Sequence, residues 1–95
     1  MLNVFKKNKG EITPELIKST IESEFNAEFY AQKYTFLETN DYLSHFITDG
    51  WKEGLDPCEW FSTSKYLQAY PDVAASGVNA FFHYIIEFIL FASLF

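Results

Sequence analysis

Arginine does not occur in this 95-residue chain. No guanidinium is therefore available to grip a phosphate, a carboxylate or a guanine edge with two parallel hydrogen bonds. Cysteine occurs once, at Cys58. A single thiol excludes an internal disulfide and any multi-cysteine metal centre, fits a reducing compartment such as the cytoplasm, and is expected to pack as a small apolar residue. No apolar run reaches the roughly 20 residues needed to cross a bilayer, since His83 and Glu87 interrupt the longest, Phe81 to Phe95. There is no glycine-rich phosphate loop, and Ser62, Ser64 and Ser76 lack the setting of a nucleophile elbow. The opening residues set Leu2, Val4 and Phe5 ahead of Lys6, Lys7 and Lys9, the reverse of a secretory signal. Residues 1–12 are expected to form a flexible basic tail.

Rings and acids are what the chain has in quantity. Eleven Phe, six Tyr and two Trp make it 20% aromatic, so residues 13–95 are expected to form one small domain with a core of rings. The net charge is −6, but the N-terminal lysines precede every acid. Residues 10–95 carry thirteen acids against four lysines, a net −9. That balance disfavours nucleic acid and anionic membranes as partners, because both demand clustered cations.

The pattern of apolar residues is helical throughout. Thr13-Pro14-Glu15 is a helix start, followed at helical spacing by Leu16, Ile17, Ile21 and Phe25, and a first helix is predicted over about 14–24. Thereafter the chain repeats itself. Phe25 to Tyr34 aligns with Phe61 to Tyr70 at an offset of 36, and Asp41 to Phe46 with Asn79 to Tyr84 at an offset of 38. In both copies a Phe precedes a good N-cap, Asn26 or Ser62, and a Tyr, Tyr30 or Tyr66, stands at the fourth helical position. That is the spacing of a hydrophobic staple. Pro71 predicts a break after Tyr70, then a short helix stopped by Gly77. Thr35 replaces that proline in the first copy, which predicts an unbroken helix from about 27 to 38. Asp41 and Asn79 are expected to cap the closing helices. Gly50, Gly54 and Pro57 then turn the first copy toward Trp60-Phe61. The second copy has no such connector, and the apolar Ile85 to Phe95 stands in its place.

Phe61, Tyr66-Leu67, Tyr70-Pro71-Asp72-Val73-Ala74-Ala75-Ser76-Gly77-Val78-Asn79 and His83-Tyr84 resemble a tandem helical repeat found in bacterial proteins, often beside glycosyltransferase and other surface-polysaccharide domains. The unit there runs Phe-Asp-x-x-Tyr-Tyr-Leu-x-x-Asn-Pro-Asp-Val-Ala-x-x-Gly-x-Asn-Pro-Leu-x-His-Tyr, followed by Gly-x-x-Glu-Gly-Arg-x-Pro. Two degenerate copies, 25–60 and 61–88, carry the resemblance. Gly50, Glu53, Gly54 and Pro57 match the connector, while Leu55 departs from its Arg, Ala80 from the second Pro, and Phe88 from the connector's first Gly. The resemblance implies an accessory helical module and transfers no catalytic residue.

The fold expected is therefore all-α, a small bundle of short helices built from two degenerate repeats plus a leading N-terminal helix. No catalytic residue, cofactor or metal site is expected. His45 and His83 recur at corresponding positions, which the repeat itself explains, and are expected to be packed or hydrogen-bonded, with pH sensing as the functional alternative. Asp49, Glu53 and Asp56 lack the spacing of a calcium loop and are read as a solvated turn. Trp51, Trp60 and Phe61 either seal the joint between copies or offer a stacking platform. The apolar end is expected to be a buried cap or a self-association surface. Trp51, Trp60, Phe61, Phe88, Phe91 and Phe95 are thus the candidate interaction surface of a non-catalytic module that binds a protein partner or itself. The other reading is a small acidic inhibitor, of the kind mobile elements encode, that occupies a basic nucleic-acid-binding groove on its target.

Overall fold

Five polar side chains start five of the helices. In the computed structural model, which describes residues 12–90, Thr13 Oγ1 accepts the Leu16 N–H at 3.1 Å and opens α1 (Pro14–Ile21). Asn26 Oδ1 accepts from Phe29 N–H at 2.9 Å ahead of α2 (Ala27–Lys33), and Asp41 Oδ1 from Ser44 N–H at 3.3 Å ahead of α3 (Tyr42–Thr48). Ser62 Oγ accepts from Lys65 N–H at 3.3 Å ahead of α4 (Thr63–Ala69). α5 (Pro71–Ser76) starts on proline and stops at Gly77, whose φ of +78° suits a residue without a Cβ. Asn79 Oδ1 then takes two N–H groups, from Phe81 at 3.0 Å and Phe82 at 3.1 Å, ahead of α6 (Ala80–Tyr84). Each such cap stabilises its helix by about 1 kcal/mol. A 3₁₀ turn, Gly50–Glu53, follows α3 and closes at Gly54 with φ +82°. α6 passes directly into a π-helical turn, Ile85–Leu90.

The chain is an all-α bundle of short helices. No strand occurs among the described residues, and the one extended pairing is an isolated bridge between Cys58 and Phe61. α1 lies across both closing helices, α3 and α6, and sends Ile17 and Ile21 between them. Beneath it the rings interlock. Phe46 of α3 meets Phe81 of α6 edge-on at 6.3 Å, and Phe81 in turn lies 4.8 Å from Phe61. Tyr30, Phe46, Phe81 and Phe82 are all fully buried, and rings of this kind contribute roughly 1.5–3 kcal/mol each through burial alone.

The two units fold alike where their residues correspond. The staple pairs close in both, Phe25 on Tyr30 at 5.2 Å and Phe61 on Tyr66 at 5.3 Å between ring centroids. The caps share a backbone shape: Asn26 and Ser62 have φ, ψ of −106°, 97° and −102°, 107°.

Two predicted boundaries need correction. α1 ends at Ile21, not near 24: past it the Glu24 N–H takes the Ile21 carbonyl in a tighter three-residue turn, and the Phe25 N–H shares that carbonyl. α2 ends at Lys33, not near 38. Tyr34 takes φ −113°, ψ 68°, close to the −126°, 74° of Tyr70, although only Tyr70 precedes a proline. In the first unit no proline follows the break; there the Asp56 N–H donates to Tyr34 Oη at 2.8 Å and ties the end of α2 to the connector.

Candidate interaction surface

One hydrogen bond ties the opening helix to the closing helix in each unit. Tyr30 Oη lies 2.9 Å from His45 Nδ1, linking α2 to α3, and Tyr66 Oη lies 2.7 Å from His83 Nδ1, linking α4 to α6. With the imidazole proton on Nε2 the phenol donates; with it on Nδ1 the phenol oxygen accepts. The histidines are therefore held 15 and 17 residues from their partners in sequence as paired structural groups, one in each unit. Burial first, and then the neighbouring Tyr70, Glu87, Asp72 and Tyr84, push the Tyr66 phenol up to about 12. Burial, followed by Tyr34, Glu53 and Asp49, raises Tyr30 as well. Neither phenol supplies an oxyanion near neutral pH.

Burial also pushes the Cys58 thiol from its ordinary 9.0 up to about 11, against smaller opposing hydrogen bonds from Trp60 and Phe61. These acids hold their protons more tightly in the fold than in the unfolded chain, so their stabilisation is whole below the unfolded values. It drains as pH rises from about 9 through 12. Urea midpoints followed by circular dichroism should accordingly be steady from pH 7 to 9 and fall between pH 9 and 12. Absorbance at 295 nm should show the buried tyrosines ionising together with unfolding. A midpoint that rose over this range would contradict the burial of these groups.

The connector covers the first unit. Asp56 N–H donates to the Tyr34 hydroxyl at 2.8 Å, and Asn26 N–H donates to the Pro57 carbonyl at 2.9 Å, so a dipeptide spans α2 from cap to cap. The Asn26 amide also donates to both carboxylate oxygens of Glu59, at 3.1 and 3.3 Å. On its other side the connector holds α4: Asp56 Oδ1 accepts the Thr63 N–H at 2.9 Å, and Thr63 Oγ1 donates to the Leu55 carbonyl at 2.7 Å. Lys33 stands 3.9 Å from Asp56 Oδ2, and Pro57 is fully buried. Asp49, Glu53 and Asp56 do not converge, and among the described residues no group of three His, Cys, Asp or Glu is placed to hold a metal ion.

Nothing among the described residues does the same for the second unit. Tyr70, the counterpart of Tyr34, is 37% exposed against 9%. Neither its hydroxyl nor the Ser62 N–H has a protein partner among the described residues. A groove of about 300 Å³ runs between Trp60 and Tyr70, past Ser62, Lys65 and Ala69, with Tyr66 and Tyr84 as its floor. Its aromatic wall continues from Trp60 to Tyr84 at 5.9 Å, from Tyr84 to Phe88 stacked at 5.6 Å, and from Phe88 back to Tyr70 at 6.1 Å.

Of the six candidate surface residues, Trp60 (52% exposed) and Phe88 (45%) stand on this wall. Trp51 and Phe61 are corrected to core positions at 5% and 6% exposure: Trp51 is turned inward by the 3₁₀ turn, and Phe61 is held by its staple to Tyr66. Phe91 and Phe95 lie outside the described residues. Sequence reading missed Tyr70, Lys65 and Tyr84. The signal was the missing second connector, whose loss uncovers in α4 what the first connector covers in α2. Compared with known protein families, curated proteins and solved structures, the chain matches none.

Proposed function

We propose that the chain is a non-catalytic helical interaction module, accessory in the manner of the bacterial tandem repeat it resembles, which engages a protein partner or a second copy through the aromatic wall of its second unit. One observation carries the reading. Trp60, Tyr70 and Phe88, joined through Tyr84, form a connected, solvent-facing aromatic surface beside α4 and the π-helical turn, at the position where the first unit keeps its rings under a connector. Aromatic side chains of this kind supply large contact area at small entropic cost and are typical anchors of protein interfaces. The two histidines are already spent on structural hydrogen bonds, and the phenols stay protonated near neutral pH, which supports a role without catalysis. The lone thiol, held protonated by burial, fits a reducing interior, and the cytoplasm is the compartment proposed. No helix among the described residues is long and apolar enough to cross a membrane.

The test is photo-crosslinking in cells that express the chain, with a benzophenone amino acid at Trp60 and, as the control, at exposed Glu28. A discrete adduct from position 60 and none from position 28 is expected, and light scattering of the purified chain tells a second copy from another protein. Equal adducts from both positions, or none, would sink the reading. The acidic-inhibitor alternative makes a different forecast for the captured pair: affinity would collapse as salt rises, whereas an aromatic interface holds.

A further inference from the structure

The first unit contains a worked template for what would fill the open groove. Against α2, the connector places the N–H of Asp56 on a tyrosine hydroxyl at the C-cap and the carbonyl of the next residue, Pro57, on the N–H of the N-cap residue. Tyr34 and Asn26 are eight positions apart, as are Tyr70 and Ser62, and the φ, ψ values at both ends of α2 and α4 agree within about 15°. The second unit therefore offers the same acceptor and the same donor across one helix, in a groove that is aromatic on both sides. Proline suits that position because it makes no demand for an N–H partner, its ring packs flat on aromatic faces, and it holds the extended backbone that presents the two main-chain groups.

Charge agrees with the template. Asp56 has Lys33 at 3.9 Å; the counterpart of Lys33 is Ala69, whose small side chain opens the groove, and Lys65, one turn earlier on α4, lines it. An acid before the proline would face this ammonium. The remainder of this chain does not provide such a ligand. Residues 1–11 and 91–95 contain no proline, Pro14 and Pro71 are built into the first turns of α1 and α5, and Pro57 of a second copy is buried against its own α2.

Building on the interaction-module reading, we infer that the groove of the second unit binds an extended acid-proline segment of a partner protein, with the acid's N–H on Tyr70 Oη, the proline carbonyl on Ser62 N–H, the proline ring between Trp60 and Tyr66, and the carboxylate toward Lys65. The segment is read mainly through its backbone, so the residue pair fixes the register and the flanking sequence tunes affinity.

The experiment is an amide-resolved NMR titration of the full chain. The probe is the peptide Glu-Gly-Leu-Asp-Pro-Ser-Glu, capped at both ends, which copies residues 53–59 with serine for the cysteine. Shifts confined to Ser62, Lys65, Ala69, Tyr70 and the Trp60 indole are expected. Changing the peptide's proline to alanine, or the protein by Tyr70→Phe, should weaken binding about tenfold each, the effect of one anchoring contact. Lys65→Gln should weaken it about threefold at low salt and little at high salt. Tyr70 is 37% exposed and Tyr70→Phe removes only its hydroxyl, so the variant is expected to keep the fold, which the unchanged amide spectrum would verify. Shifts at Asn26 and Tyr34, equal binding of the alanine peptide, or no shift would overturn the inference, as would concentration-dependent broadening of the groove amides without peptide, the mark of a second copy in that place. Failure here with a Trp60 crosslink to another protein intact would remove the ligand class and leave the module standing; failure of both would remove both.

Discussion

Phe81→Ala is expected to cost about 3–5 kcal/mol, the usual loss for emptying a fully buried phenylalanine site. The residue has no exposed surface and sits at the joint of the two units, edge-on to Phe46 of the first at 6.3 Å and against Phe61 of the second at 4.8 Å, with Trp60 between the copies at 5.6 Å. Three rings lose a neighbour at once, and Phe46 and Phe61 are themselves buried, which limits how far they can move to close the space. Domains of this size are stable by only about 5–15 kcal/mol, so the variant should lie near the edge of folding at 25 °C. Urea denaturation followed by far-ultraviolet circular dichroism would measure the loss. Phe36→Ala is the matched control: Phe36 is 67% exposed, and its removal should fall within about 0.5 kcal/mol of wild type. A cost below about 1 kcal/mol at Phe81 would show that the units are not joined through this ring.

Gly50→Ala should be nearly as damaging, for a steric reason that can be reversed. Gly50 is buried, and a Cβ built on it falls onto the Tyr30 hydroxyl oxygen and 3.3 Å from both Tyr30 Cζ and His45 Nδ1. The hydroxyl cannot swing aside without leaving His45 Nδ1, which it meets at 2.9 Å. A loss of about 3 kcal/mol is expected, in the upper range for overpacking a tight site. Tyr30→Phe alone should cost about 1–2 kcal/mol for the broken hydrogen bond. Combined, the two changes should cost clearly less than their sum, because removing the hydroxyl removes the obstacle to the methyl group. Additive losses in the double variant would mean that the glycine is required for something other than close approach to Tyr30.

Much of the fold was legible because it is local. Thr13, Asn26, Asp41, Ser62 and Asn79 cap the helices they were expected to cap, Gly77 stops α5, and Pro71 follows a break, since each effect acts within three or four residues of its cause. The end of α2 was not legible. Tyr34 leaves the helix with its hydroxyl bonded to Asp56, 22 residues on, and no propensity of Thr35 reports such a contact. The inward turn of Trp51 has the same origin. It depends on where the 3₁₀ turn places the ring relative to the bundle, and an indole reads alike in a core and on a surface. Trp60 was a surface candidate as a ring flanking the first connector, and Phe88 as part of the apolar end that stands in place of the second. Tyr70, Lys65 and Tyr84 were not, because their exposure follows from what is missing above them.

Among the described residues the longest α-helix has eight residues and the shortest five. An isolated helix shorter than about 12–15 residues is marginal in water, so none of these would persist alone, and secondary structure here exists only while the rings beneath it are packed. Helix and core must then melt as one cooperative unit. A ligand seated on α4 would accordingly protect backbone amides as far away as α1, raising the stability of the whole chain by mass action. Occupancy of one exposed groove would be visible as slowed hydrogen exchange throughout the molecule.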